Sequence, residues 1–242
     1  MRIALLKVNR SSNISPISLT QCSRGKIVKD FGLELREKYG HPNIVVPMED
    51  DLEFGAQAVL SYFEDQIRQG TIFREGETVQ IGWSILMLKA GAGETLEAWE
   101  PEFSPMPISW IRGANTTYRH LMMQKEVCSQ FGVEPDYPSL RQAAFVSSEF
   151  SSSNEFFMVR EPEDASNSGW VLTSRRGADT NAEFRSLFEM AIKSRRIVPF
   201  LALPVGVAVK FNRDEISAEL VGKKISSKDN DFIGMVLKSY QV

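Results

Sequence analysis

The residue types that carry most enzyme chemistry are scarce in this chain. It holds two histidines, His41 and His120, and two cysteines, Cys22 and Cys128. A zinc site built on imidazole would need both histidines from distant segments, and neither belongs to a pair at ligand spacing. Cys128 and His120 fall on one predicted helix. Eight residues is about 12 Å along the axis, beyond the reach by which a base activates a thiol. No serine has glycine two residues to either side, so the elbow of a serine hydrolase is missing. Gly91-Ala92-Gly93 lacks the third glycine and the following helix of a dinucleotide site, and no lysine follows a glycine-rich run in the phosphate-loop pattern. A hairpin turn accounts for it. These residues predict a protein that is not an enzyme and takes no metal or cofactor.

Charge is the other chemistry on offer. The chain has 28 basic and 31 acidic residues, and residues 49–102 concentrate 12 of the acidic ones against only Arg68, Arg74 and Lys89. Such a segment repels phosphates and attracts a basic partner. Asp50, Asp51, Glu53, Glu97, Glu100 and Glu102 are its candidate contact residues. A structural role competes, because Glu49-Asp50-Asp51 stands where carboxylates favour the positive end of a helix dipole. The basic pairs Arg175-Arg176, Arg195-Arg196 and Lys223-Lys224 have the composition of a phosphate-binding surface. They read more simply as helix-end and turn charges, so nucleic acid is not an expected partner.

The elements that must position these residues follow from hydrophobic spacing. With 15 Phe, 4 Trp and 43% hydrophobic residues, the chain can build a sizeable core. Lys7 interrupts the apolar start after four residues, which is too short for a secretory signal. No run approaches the roughly 18 apolar residues of a membrane span. The expectation is a cytoplasmic protein with reduced thiols and no membrane partner.

Ile27, Val28, Phe31, Leu35 and Tyr39 recur at helical spacing over residues 26–39, with Gly40 and Pro42 as a stop. Leu52, Ala56, Val59, Leu60, Phe63 and Ile67 give a clearer helical stripe ending before Gly70. Val79, Ile81, Trp83, Ile85 and Met87 alternate as a strand, and a second extended run from Thr95 to Glu100 completes a hairpin. A strand from Ile108 to Ile111 and a helix from Ala114 to Phe131 follow. Gly132–Ser139, with Pro135 and Pro138, reads as a linker.

Beyond it come strands at Ala143–Ser148, Phe156–Arg160 and Trp170–Ser174, with a turn at Ser151–Asn154. Thr180 and Glu183 fit a capping box ahead of a helical stripe through Phe184, Leu187, Phe188, Ala191 and Ile192. Val205, Val207, Val209 and Phe211 alternate as a half-buried strand. The tail from Phe232 to Leu237 is apolar enough to pack back on the body. The class is α+β: helices with small antiparallel sheets in two subdomains, an N-terminal one over 1–134 and a C-terminal one over 140–242.

The C-terminal part also resembles a known family. Ala144-Phe145-Val146-Ser147, Phe157-Met158-Val159-Arg160-Glu161, Ser168-Gly169-Trp170 and Ile197-Val198-Pro199-Phe200-Leu201-Ala202-Leu203-Pro204-Val205-Gly206 occur in that order. As a set, over about residues 142–213, they are similar to the immunity protein thirty-three family, small α+β domains found beside bacterial polymorphic toxins. The resemblance implies a partner, a cognate protein toxin bound and neutralised in the cytoplasm, and carries over no catalytic residue. Gly169, Trp170, Pro199, Pro204 and Gly206 are expected to maintain the fold: the indole as a core anchor, the glycines for backbone conformation, the prolines for the path between helix and strand. The alternatives are a small-molecule enzyme with its site between the two parts, or a regulatory protein-binding module.

Overall fold

The computed structural model describes residues 2–4, 27–148, 150, 155–174 and 182–239. Leu5-Leu6-Lys7, Cys22, the Ser151–Asn154 turn, the Arg175-Arg176 pair and the Thr180 cap lie outside them, as does most of the connection before Ala182. The chain divides into two compact units, Met1–Leu121 and Met122–Val242.

In the first unit, α2 (Glu53–Arg68) buries the expected stripe of Ala56, Val59, Leu60, Phe63 and Ile67. It packs on β3 (Asn43–Glu49) and β2 (Val28–Leu33). The other strands are β1 (Arg2–Ala4), β4 (Thr78–Ile81), β5 (Ser84–Ala90), β6 (Thr95–Glu102) and β7 (Ser109–Arg112). They form one seven-stranded sheet in the order β1-β4-β5-β6-β3-β2, with β7 paired to β6. β6 is long enough to serve two neighbours along one side: Thr95–Glu97 pairs parallel with β3, and Trp99–Glu102 pairs antiparallel with β7. The division between the units falls inside the helix α3 (Asn115–Phe131).

In the second unit the strands are β8 (Ala143–Ser147), β9 (Phe156–Arg160), β10 (Asn167–Thr173), β11 (Ala182–Ser186), β12 (Ala208–Phe211), β13 (Ile216–Leu220) and β14 (Lys223–Ser226). Their order is β11-β8-β10-β9-β12-β13-β14, seven strands again. The second half of α3, α4 (Leu187–Lys193), a 3-10 helix Arg195–Phe200 and α5 (Asp231–Ser239) supply the helical residues of its core. Leu187, Phe188, Ile197, Phe200, Ile233 and Val236 are all buried.

The α+β class stands, but the sheets are not small and not purely antiparallel. Parallel pairs join β1 to β4, β3 to β6 and β8 to β10, strands that lie apart in sequence and leave no hairpin signal. The helix expected over 26–39 is instead strand β2 followed by the single turn α1 (Arg36–Tyr39). Val28–Leu33 pairs along its whole length with Ile44–Glu49, and this ladder overrides the helical spacing. Gly40 does end α1, at φ 63°. The single strand expected over Val79–Met87 is two strands folded at Gly82-Trp83, where Gly82 takes φ 60° and Ile81 pairs with Ser84.

Ala182–Ser186 is a strand and not the first turn of a helix. α4 starts after Ser186, whose side chain accepts from the Glu189 N–H and so caps it. The strand expected from Val205 is shorter, because Gly206 turns the chain at φ 91° before β12 begins at Ala208. Residues 133–139 have no regular structure. They are tied to the second unit, with the Asp136 N–H donating to Ala202 O and Asp136 O accepting from Arg160.

Candidate functional site

The six acidic candidates separate into two groups. Asp50 and Asp51 form a 3-10 turn leading into α2, and Glu53 is the first residue of that helix. All three are exposed. Asp50 lies 3.9 Å from Lys29 Nζ, a solvated pair of small energetic consequence. Together the three carboxylates front the positive end of α2 and present one negative patch to solvent.

Glu97, Glu100 and Glu102 all belong to β6 but face different surroundings. Glu97 and Asp30 share one guanidinium. Arg112 Nε donates to Glu97 at 2.8 Å, and its Nη1 and Nη2 each donate to Asp30 at 2.9 Å. These hydrogen bonds, from Glu97 first and Asp30 second, hold the guanidinium well above its usual range. Glu102 accepts from the hydroxyls of Ser104 and Ser109.

Glu100 is 1% exposed, and this removes it from any docking face. Its Oε1 accepts the Thr116 N–H at 3.0 Å and its Oε2 the Thr117 N–H at 2.7 Å, so it caps the start of α3 from a neighbouring strand. Burial pushes this carboxyl above the ordinary glutamate value, opposed by the two backbone hydrogen bonds. Its position was legible: Leu96, Ala98 and Glu100 alternate onto the same buried face.

Among the described residues, His41 and Cys128 are buried and His120 is half-buried. The His41 Nε2 accepts the Phe73 N–H at 2.8 Å, so Nδ1 is the donor to the Pro42 carbonyl at 2.7 Å. His120 packs its ring against Trp83 and Phe103. The Cys128 thiol donates to Ala202 O at 3.3 Å, and burial pushes it up to about 12. A thiol held there is protonated at physiological pH and is no nucleophile. Among the described residues, no group of three or more His, Cys, Asp or Glu side chains is placed to hold a metal ion.

In the second unit the recognisable sequence pieces converge on one side chain that sequence reasoning passed over. Arg160, the last residue of β9, has a side chain with no exposure at all. Its Nη1 donates to Asp136 O and Leu203 O at 2.6 and 2.7 Å, and its Nη2 reaches Glu163 at 2.8 Å and Asp136 Oδ2 at 3.3 Å. Its guanidinium carbon lies 5.9 Å from the centroid of the Trp170 ring. Trp170 is fully buried, and its Nε1 donates to Leu201 O. Gln124 holds the Val198 carbonyl and Cys128 that of Ala202.

The segment Val198–Leu203 is therefore gripped through four of its carbonyls. Pro199 is buried inside the 3-10 helix, Pro204 is half-buried, and the Gly206 N–H donates to Arg160 O. Gly169 takes φ 75° with the Glu161 carbonyl so close that a Cβ would stand 2.1 Å from it.

The stretch of chain that builds this constellation matches a known family model. Residues 123–220 match the model of the Imm33-like domain. The Imm33-like segment begins in the second half of α3, just before Gln124, and ends with β13. It therefore extends the resemblance read over 142–213 at both ends, and it takes in Gln124, Cys128, Asp136, Arg160, Trp170 and the Val198–Gly206 segment. No curated protein and no solved structure matches the chain. Among the described residues, no helix is long and apolar enough to cross a membrane.

Proposed function

We propose that this chain is an immunity protein, a cytoplasmic binder that neutralises a cognate bacterial toxin or effector by occupying its surface. The observation that carries the reading is the Imm33-like match over residues 123–220. The burial of Cys128 and the use of both His41 ring nitrogens in backbone hydrogen bonds support a binder over a catalyst.

Asp50, Asp51 and Glu53 form the docking patch of this reading, and a basic toxin is the partner that suits it. Opposite fields speed encounter and favour one register. Glu97 and Glu102 are partly exposed carboxylates already engaged by Arg112 and the two serines.

The test is co-expression with the toxin-like product of an adjacent gene. The wild-type chain is expected to rescue growth. Replacing Asp50, Asp51 and Glu53 with lysine is expected to slow association with that toxin and flatten its salt dependence. Failure of rescue against every neighbouring toxin would end the reading. Unchanged association of the triple variant would end the acidic patch's part in it.

A further inference from the structure

The edge of the second sheet lies within the matched stretch and carries a surface that the toxin reading does not use. β11 ends that sheet, so no described strand lies on its outer side. In its ladder with β8, the Leu187 N–H donates to Gln142 O, one step past the Ser186–Ala143 pair. Antiparallel partners alternate between hydrogen-bonded and non-bonded pairs. Glu183 and Arg185 therefore turn their backbone groups towards β8, while Ala182, Phe184 and Ser186 turn theirs outward.

The side chains of this edge are unusual in two ways. On one face Phe184 begins a register row that continues through Phe145, Val171, Val159 and Ala208 across five strands. Phe184 is 63% exposed and Phe145 36%, and their rings lie 5.4 Å apart. On the other face Glu183 and Arg185 carry opposite charges two residues apart, now paired within the chain through Arg185 Nε to Glu183 Oε1 at 2.8 Å. The far edge of the same sheet is β14, with Lys223 and Lys224 at its start. Lysines are a common guard against edge pairing. β11 has no such guard: its charges sum to zero and complement their own reversal.

We propose that Ala182–Ser186 is the docking edge for a second copy of this chain, paired antiparallel about a two-fold axis normal to the sheet at Phe184. In that register Ala182, Phe184 and Ser186 exchange backbone hydrogen bonds with Ser186, Phe184 and Ala182 of the second copy. Each Glu183 lies directly opposite an Arg185, twice per dimer, which is the isologous pattern that two-fold symmetry requires. Phe184 meets Phe184, and the aromatic row becomes Phe145-Phe184-Phe184-Phe145 across the seam, a favourable cross-strand arrangement. The self-complementary charge pattern is what selects a second copy over an unrelated strand.

The experiment is sedimentation equilibrium on the full chain, with circular dichroism to confirm folding of each variant. The wild type is expected to show a concentration-dependent monomer–dimer equilibrium. Glu183→Arg alone and Arg185→Glu alone each place like charges opposite one another and are expected to weaken dimerisation by roughly tenfold or more. Mixing the two variants restores both opposite-charge contacts, so heterodimers are expected to form where neither variant pairs with itself. Phe184→Asp is expected to abolish association on its own. A wild type that stays monomeric, or single variants that dimerise as the wild type does, would overturn the proposal. So would a mixture that fails to associate while both variants are folded.

Discussion

Glu100 carries the same charge as Asp50, Asp51 and Glu53, yet its surroundings give it a different task. Those three stand in water at the start of α2, whereas Glu100 is sealed beneath the first turn of α3 with both oxygens on backbone N–H groups. Burial raises its proton affinity in the folded state above the ordinary value of 4.5. A carboxyl with a raised folded value binds its proton more tightly when folded. The stability this contributes is full below 4.5 and is lost as pH rises through the folded value. Urea denaturation across this range is expected to show that decline. Glu100→Gln, which does not titrate, is expected to flatten it, at the cost of one N–H left facing an amide nitrogen. An equal slope in both proteins would assign the pH dependence to other groups. Arg160 is the basic counterpart, a buried charge held by two carboxylates and two carbonyls.

At the scale of elements, β10 shows how one residue lets two strands meet. Its parallel register with β8 shifts between Asn167, opposite Ala143, and Val171, opposite Phe145. Gly169 sits in this irregularity with φ 75°, its own carbonyl accepting from the Glu161 N–H while the Glu161 carbonyl occupies the space a Cβ would need. Gly169→Ala meets both a steric and a conformational obstacle, and is expected to cost at least ~2 kcal/mol. Gly206→Ala is the control. It shares a positive φ of 91° but has open space where the Cβ would go, so only the backbone strain of about 1 kcal/mol is expected. Denaturation midpoints of the two variants check this. Equal losses would show that the Glu161 carbonyl yields readily and that close approach is not what selects glycine at 169.

At the scale of the whole molecule, the boundary of the C-terminal unit is the point of interest. A cut at the proline-bearing segment, leaving 140–242, removes Gln124, Cys128 and Asp136, which bind the Val198 and Ala202 carbonyls and Arg160. The buried guanidinium would then lose a carboxylate and a carbonyl together, an outcome that costs several kcal/mol. A chain starting at Asn115 keeps all three residues and the helix that carries two of them. The longer fragment is expected to melt cooperatively in circular dichroism and the shorter one to lack a sharp transition. Equal cooperativity in both would mean that α3 is dispensable to this unit. The family match, which starts at Met123, places its boundary on the same side of the prolines.

The α+β class, α2, α3, the β5–β6 hairpin and the apolar character of the tail were legible in the residues because each depends on composition, spacing and turn chemistry within a few positions. The Ser-Gly-Trp and Pro-x-Leu-x-x-Pro-x-Gly pieces were legible as a family pattern for the same reason: they are ordered strings. What Val28–Leu33 became, which strands pair in parallel, and why Arg160 lies among Trp170, Asp136 and Leu203 depended on partners far along the chain. Helical and extended spacing overlap over so short an apolar segment, and only the ladder with β3 decided between them. The burial of a charge is likewise set by what folds over it, so Glu100 and Arg160 acquired their roles from tertiary contacts, while their residue types supplied only the hydrogen bonds available to be satisfied.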